Sequence, residues 1–141
     1  MAAEEFSAGG VVLHDRMVAV IVPVKRDAQG RRVLGLPKGH PEGEESPERA
    51  AEREVREETG LEVELVERLG EVSYQYERHG RRVAKRVAFY LFRCCGGNLE
   101  DHDHEIEEAR WMPLEQAAQE LSYAGEREMV ERAGSILAAE R

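Results

Sequence analysis

Apolar, β-branched residues gather in two short runs, SAGGVVL (7–13) and MVAVIVPV (17–24), separated by the turn-like HDR. That spacing predicts two adjacent strands. DAQG (27–30) then turns the chain into a third expected strand, RRVLGL (31–36). The following PKGHPEGEESP (37–47) is too rich in proline and glycine for a regular element and reads as a loop. A helix of about four turns is expected from Pro47 to Thr59. Ser46 suits the N-cap, Pro47 the first helical position, and Glu48 the positive end, while Gly60 supplies the stop. Ala50, Ala51 and Val55 fall where they can face a core, and the alanines allow close approach to a sheet.

Beyond Gly60, residues 61–77 alternate apolar and polar positions in their first part and around Val72, Tyr74 and Tyr76. A long hairpin is predicted, with Gly80 at the centre of its turn RHGRR and VAKRVAFYLFRC (83–94) as the returning strand. CGGNLEDHDHEIEE (95–108) breaks the alternation and is expected to be an exposed acidic loop before a short last strand, ARWMPL (109–114). The tail holds LEQAAQEL and then EREMVERAGSILAAE, in which Met129, Val130, Ala133, Ile136 and Leu137 recur at helical spacing. Core packing explains this stripe, with a dimer contact as the other reading. No internal repeat, linker or low-complexity block interrupts the pattern.

A chain of 141 residues with 41% hydrophobic content fits one folded domain, 1–141, that needs no disulfide or structural metal. The net charge of -9 argues against general affinity for nucleic acid or anionic membranes, although a local basic patch can still bind phosphate. The N-terminus shows no basic region followed by an apolar core, and no apolar run reaches the roughly 20 residues of a bilayer span. The expectation is a soluble, cytoplasmic protein, monomer or homodimer. Cys94 and Cys95 are adjacent, so reduced thiols at a strand end are expected rather than a mutual disulfide.

Charge placement in the first helix points beyond packing. REVREETG (53–60) puts Glu54, Glu57 and Glu58 on one face near the C-terminal end, where the helix dipole disfavours carboxylates. Either this is a solvated acidic face or a cation belongs there. The wider register decides between them. From Gly39 to Leu61 the chain reads GHPEGEESPERAAEREVREETGL, which fits GX5EX7REUXEEXGU, with U a bulky aliphatic, at Gly39, Glu45, Arg53, Glu54, Val55, Glu57, Glu58, Gly60 and Leu61. Composition alone produces such a match on the order of once in a hundred thousand sequences. In this segment the chain resembles the Nudix hydrolases, whose defining box it is, and the order of elements around the box is similar to theirs.

Oxygen ligands projecting from a loop and helix suit a hard cation beside a polyphosphate, which points to Mg2+ with Mn2+ as substitute. The resemblance implies an α/β/α sandwich with a mixed sheet, the box loop and helix, and a C-terminal helix. It also implies phosphoanhydride hydrolysis, with Glu54, Glu57 and Glu58 as metal ligands, Glu45 as the outer box glutamate and Arg53 orienting the carboxylates. A metal-binding main-chain carbonyl would fall at Lys38. The general base is Glu54 or an acid on the later loop, for which Glu105 is the choice; His102 and His104 are its neighbours. LPKGH (36–40) with SAGGVV resembles members acting on diadenosine polyphosphates or diphosphoinositol polyphosphates. The expected substrate is therefore a dinucleoside polyphosphate, with a MutT-type triphosphate pyrophosphatase as runner-up. Lys38, Lys85 and Arg86 are candidate phosphate contacts, together with the Arg78, Arg81 and Arg82 cluster at the hairpin tip. Tyr74, Tyr76 and Tyr90 are candidate base contacts. A non-catalytic nucleotide-binding module is the rival of a different class, disfavoured because no box carboxylate is missing.

Overall fold

The computed structural model describes residues 3–140; Met1, Ala2 and Arg141 of the expected domain lie outside the described residues. The first two apolar runs form β1 (Ala3–His14) and β2 (Met17–Pro23). They are registered as an antiparallel pair at Leu13 with Val18 and His14 with Met17. Toward its N-terminal part β1 instead pairs with the two-residue strand β3 (Lys38–Gly39), Ala8 opposite Gly39 and Gly9 opposite Lys38. On the other side, Ile21 and Gly35 exchange backbone bonds of 2.8 and 2.9 Å. Residues 35–39 thus fill the opening between β1 and β2, which places the loop ahead of the helix inside the sheet. Gly9 permits this approach, since a Cβ there would stand 2.2 Å from the Pro37 carbonyl oxygen.

The expected third strand at 31–36 does not form as a ladder. Its backbone donors are taken by side chains: Leu34 N–H by the Ser122 hydroxyl at 2.9 Å and Leu36 N–H by a Glu126 carboxylate oxygen at 2.8 Å. Val33 and Leu36 are buried all the same, so the short apolar run after the DAQG turn looks like a strand in the sequence without pairing as one.

Helix α1 (Pro47–Thr59) begins and ends where its sequence signals stand. Ser46 Oγ accepts from Arg49 N–H at 3.2 Å, and Gly60 closes the helix at φ 74 with its N–H on the Arg56 carbonyl. The long hairpin consists of β4 (Leu61–Arg78) and β5 (Arg81–Gly97), antiparallel throughout with register shifts near Val63, Val66 and Leu69. His79 at φ 52 and Gly80 at φ 76 make its two-residue turn. β5 also runs parallel to β1 from Ala3 opposite Val83 to Leu13 opposite Arg93.

The acidic loop is shorter than expected, with a 3₁₀ turn at Leu99–Asp101. The last strand, β6 (Ile106–Pro113), starts three residues earlier than the ARWMPL pattern suggests because Ile106 and Glu108 also pair with β2, at Pro23 and Val22. Helices α2 (Leu114–Glu120) and α3 (Ala124–Ala139) complete the chain. The mixed sheet has the order β4-β5-β1-β2-β6, with β3 on β1.

Alternation along the central strands divides the core into two layers. Ala8, Val12, Ala88 and Phe92 pack against Ala50, Ala51 and Val55 of α1. Val11, Val87, Phe89 and Leu91 pack against Met129, Val130 and Ala133 of α3. The apolar stripe of the last helix is therefore core, as expected, and the architecture is the expected α/β/α sandwich. Among the described residues no helix is long and apolar enough to cross a membrane.

Candidate functional site

Helix α1 presents its acidic face to the loop held between β1 and β2, and Arg53 organises that face. Its Nε and Nη2 grip both Glu45 carboxylate oxygens at 2.9 Å each, while Nη1 reaches Glu54 at 2.8 Å and Glu57 at 3.0 Å. Nη2 also donates to the His40 carbonyl at 3.0 Å. One guanidinium thus fixes three of the box glutamates and the loop, using the planar fork that a lysine lacks. The hydrogen bonds from Arg53 hold the Glu45 carboxyl below the usual carboxylate range.

Glu58 is different. It is 8% exposed, and its partners are the Lys38 backbone N–H at 3.3 Å and the neighbouring Glu54 carboxyl. Burial first, and then the hydrogen bond to Glu54 and that group's charge, push its carboxyl up to about 9. Two acids facing each other in a half-dry recess, one of them without a guanidinium, form an arrangement that a cation would relieve. Gly39 keeps the recess open, because a Cβ there would lie 2.2 Å from the Glu54 carboxylate. Among the described residues no three carboxylate, imidazole or thiol groups already form a closed cation cage. Oxygen donors at Glu54 and Glu58, with Glu57 on the Arg53 side, fit a cation that keeps several waters, as magnesium does.

The recess opens into a cleft of about 880 Å³. Glu54 and Glu58 lie on one wall, with Lys25, His40 and Lys85 elsewhere around it, and His104 and Glu105 at the β6 side. The structure therefore brings Glu105 to the same cleft as the box acids. Asp103 N–H donates to the Glu57 carbonyl at 2.8 Å, and Asp103 Oδ1 accepts from Glu105 N–H at 3.1 Å, which ties this loop to the end of α1. His104 lines the cleft, whereas His102 instead bonds the Asp103 carbonyl through Nδ1 at 2.9 Å.

Other residues singled out from the sequence are distributed differently. Lys38 is no free cation: its ammonium pairs with Glu126 at 3.0 Å. Burial would lower its pKa, but the Glu126 carboxylate outweighs this and leaves it above the ordinary value. Lys85 and Arg86 are neighbours in β5 and point to opposite faces. Arg86 is bonded to Glu71 at 3.1 Å and lies over the Phe6 ring on the α1 side, away from the cleft. Tyr90 is buried there with its hydroxyl donating to Glu48 at 3.0 Å. Tyr76 donates its hydroxyl to Glu5, which also binds Arg78 at 2.7 Å, and lines neither the cleft nor the slot described next. Cys94 and Cys95 are free thiols.

Sequence reasoning missed a second cavity. A slot of about 390 Å³ between β4, β5 and the start of α3 is walled by Val72, Tyr74, Phe89, Tyr123 and Glu126, and Lys38 lines both this slot and the cleft. Tyr74 and Tyr123 stand 47% and 46% exposed at its mouth. Of the residues singled out from the sequence, Tyr74 and Lys38 line it; a further signal was Glu126, a charge on the face that Met129, Val130 and Ala133 continue as apolar.

Comparison with known proteins agrees with this geometry. The NUDIX domain model matches residues 5–133. A MutT4 mutator protein of Mycobacterium tuberculosis (strain CDC 1551 / Oshkosh) is 40% identical over 139 residues, covering 94% of this chain; the chain spans 56% of that relative's length. A NUDIX hydrolase from Nitrosomonas europaea superposes with TM-score 0.76 at 18% identity, over 94% of this chain and 89% of its own. A C. elegans Ap4A hydrolase binary complex superposes with TM-score 0.70 at 20% identity, over 96% and 98%. The box acids gathered by Arg53, the sandwich that holds them and the family match over nearly the whole chain lead to one assignment: the chain belongs to the NUDIX family.

Proposed function

We propose that the protein is a Mg2+-dependent hydrolase of dinucleoside polyphosphates, diadenosine polyphosphates first among them. The observation that carries this reading is the tyrosine-mouthed slot beside the acidic cleft, with Lys38 lining both. A nucleoside base held between Tyr74 and Tyr123 would lead its phosphate chain into the cleft, where Lys85 and His40 meet the anionic charge. Glu54, Glu57 and Glu58 would hold the metal, which when bound supplies Lewis acidity to phosphoryl oxygens and lowers the pKa of water. Arg53 keeps Glu54 and Glu57 in position for that task. Glu105 or Glu54 accepts the proton of the attacking water. The products are a mononucleotide and a shortened polyphosphate nucleotide.

A MutT-type triphosphate pyrophosphatase is the second reading, favoured by the 40% identical mutator relative. Incubating the protein with Mg2+ and diadenosine tetraphosphate, nucleoside triphosphates, nucleotide sugars or diphosphoinositol phosphates, and identifying the products, separates the two. The proposal expects the highest kcat/KM on the dinucleoside polyphosphate. A preference for a triphosphate refutes the substrate, and no turnover of any diphosphate refutes the activity. Glu105→Gln distinguishes the bases: a loss of about 100-fold or more in kcat assigns the proton to Glu105, and a mild effect returns it to Glu54.

A further inference from the structure

We infer that Glu126 is a positioning residue for the metal site, acting from the first turn of α3 through residues 36–38 on the Glu58 carboxylate. This rests on the reading that the box acids hold a divalent cation. Glu126 is 4% exposed and occupies the core-facing stripe of its helix. A carboxylate there must be fully compensated, and both its partners come from one short segment. Oε1 accepts from Leu36 N–H at 2.8 Å, and Oε2 pairs with the Lys38 ammonium at 3.0 Å. The space for this carboxylate is left by Gly35, whose added Cβ would lie 3.3 Å from Oε1.

Stability alone gives no reason for such a pair, since well-packed apolar side chains serve a buried position at least as well. Its placement does. The segment it holds is the wedge between β1 and β2, and the Lys38 N–H within that wedge is the backbone donor to Glu58 at 3.3 Å. Glu126 therefore clamps the wedge at two points on the side of α3, while β1 holds it at Gly9 and Gly10 through β-pairing and the bond from Gly10 N–H to the Pro37 carbonyl. Loosening one side lets the Lys38 backbone move and with it the rotamer of Glu58. The chain of contacts is Glu126 to Lys38 to Glu58, from a helix remote in sequence to the box.

The test compares the native protein with Glu126→Gln and with the double variant Lys38→Met/Glu126→Gln, titrating Mn2+ by the electron paramagnetic resonance signal of the free ion. Melting temperature and kcat are measured alongside. Glutamine keeps an acceptor for Leu36 but releases Lys38, and Mn2+ affinity is expected to fall about tenfold or more, with kcat falling in step. The double variant leaves no uncompensated charge, so its melting temperature recovers while its Mn2+ affinity stays low. A purely structural role gives the opposite result: altered melting, but native Mn2+ affinity in the folded double variant, which overturns the inference. Absence of Mn2+ binding to the native protein overturns the metal reading itself, and so is distinguishable from a failure at Glu126 alone.

Discussion

Replacing Glu58 with glutamine should make the metal-free protein more stable and the metal-bound protein inactive. In the native protein burial and Glu54 push this carboxyl up to about 9 from its ordinary 4.5. The folded state then binds more protons than the unfolded state between these values, so stability is fully present below the lower pKa and is lost as pH rises toward the upper one. At about pH 8 the loss amounts to roughly 3.5 units at 1.36 kcal/mol each, or about 5 kcal/mol as an upper bound. Reorientation of Glu54 and entry of water reduce it to ~2–5 kcal/mol, which for a domain of this size is a shift of ~5–15 °C. Glutamine has the same shape and no charge to desolvate. The assay is thermal or urea unfolding of both proteins in chelator at about pH 5 and about pH 8. Glu58→Gln should exceed the native protein by that margin at the higher pH and come within ~1 kcal/mol of it at the lower. Saturating Mg2+, at about 100 times its Kd, should return roughly 2.7 kcal/mol to the native protein and little to the variant. Equal stability of the two proteins in chelator at both pH values would refute the reasoning, because Glu58 would then not be a desolvated acid awaiting a cation.

Arg53→Lys keeps the charge but not the fork that grips Glu45, Glu54 and Glu57 together; kcat should fall at least ~100-fold with a stability loss of about 1–3 kcal/mol, checked by steady-state kinetics and urea unfolding. Gly39→Ala places a Cβ 2.2 Å from the Glu54 carboxylate, and this flexible group can yield, so activity should drop about 10–100-fold while the melting temperature moves little. Tyr123→Ala and Tyr74→Ala should each raise KM for diadenosine tetraphosphate about tenfold with kcat nearly unchanged, since stacking is worth ~1–3 kcal/mol per base. An unchanged KM in both would remove the base from the slot.

Features that depend on near neighbours were legible in the amino-acid order. Ser46, Pro47 and Gly60 bound α1 because capping chemistry acts within one turn, and the register from Gly39 to Gly60 set the acids on one helical face because that spacing is a property of the helix. The hairpin turn at His79 and Gly80 and the core stripe of α3 were legible for the same reason. Contacts between distant segments set the rest. Residues 31–36 follow a turn and carry the apolar residues of a strand, yet Ser122 and Glu126, 88 and 90 positions away, take the backbone donors of Leu34 and Leu36. Lys85 and Arg86 look like one cationic patch until the pleat sends them to opposite faces, and Lys38 looks like a free phosphate ligand until α3 delivers its counter-ion. Which acid is exposed and which is desolvated depends on burial, and burial is a sum over distant segments. That is why the sequence names the acids of the box, while the fold singles out Glu58 as the one without a guanidinium and Glu126 as the residue behind it.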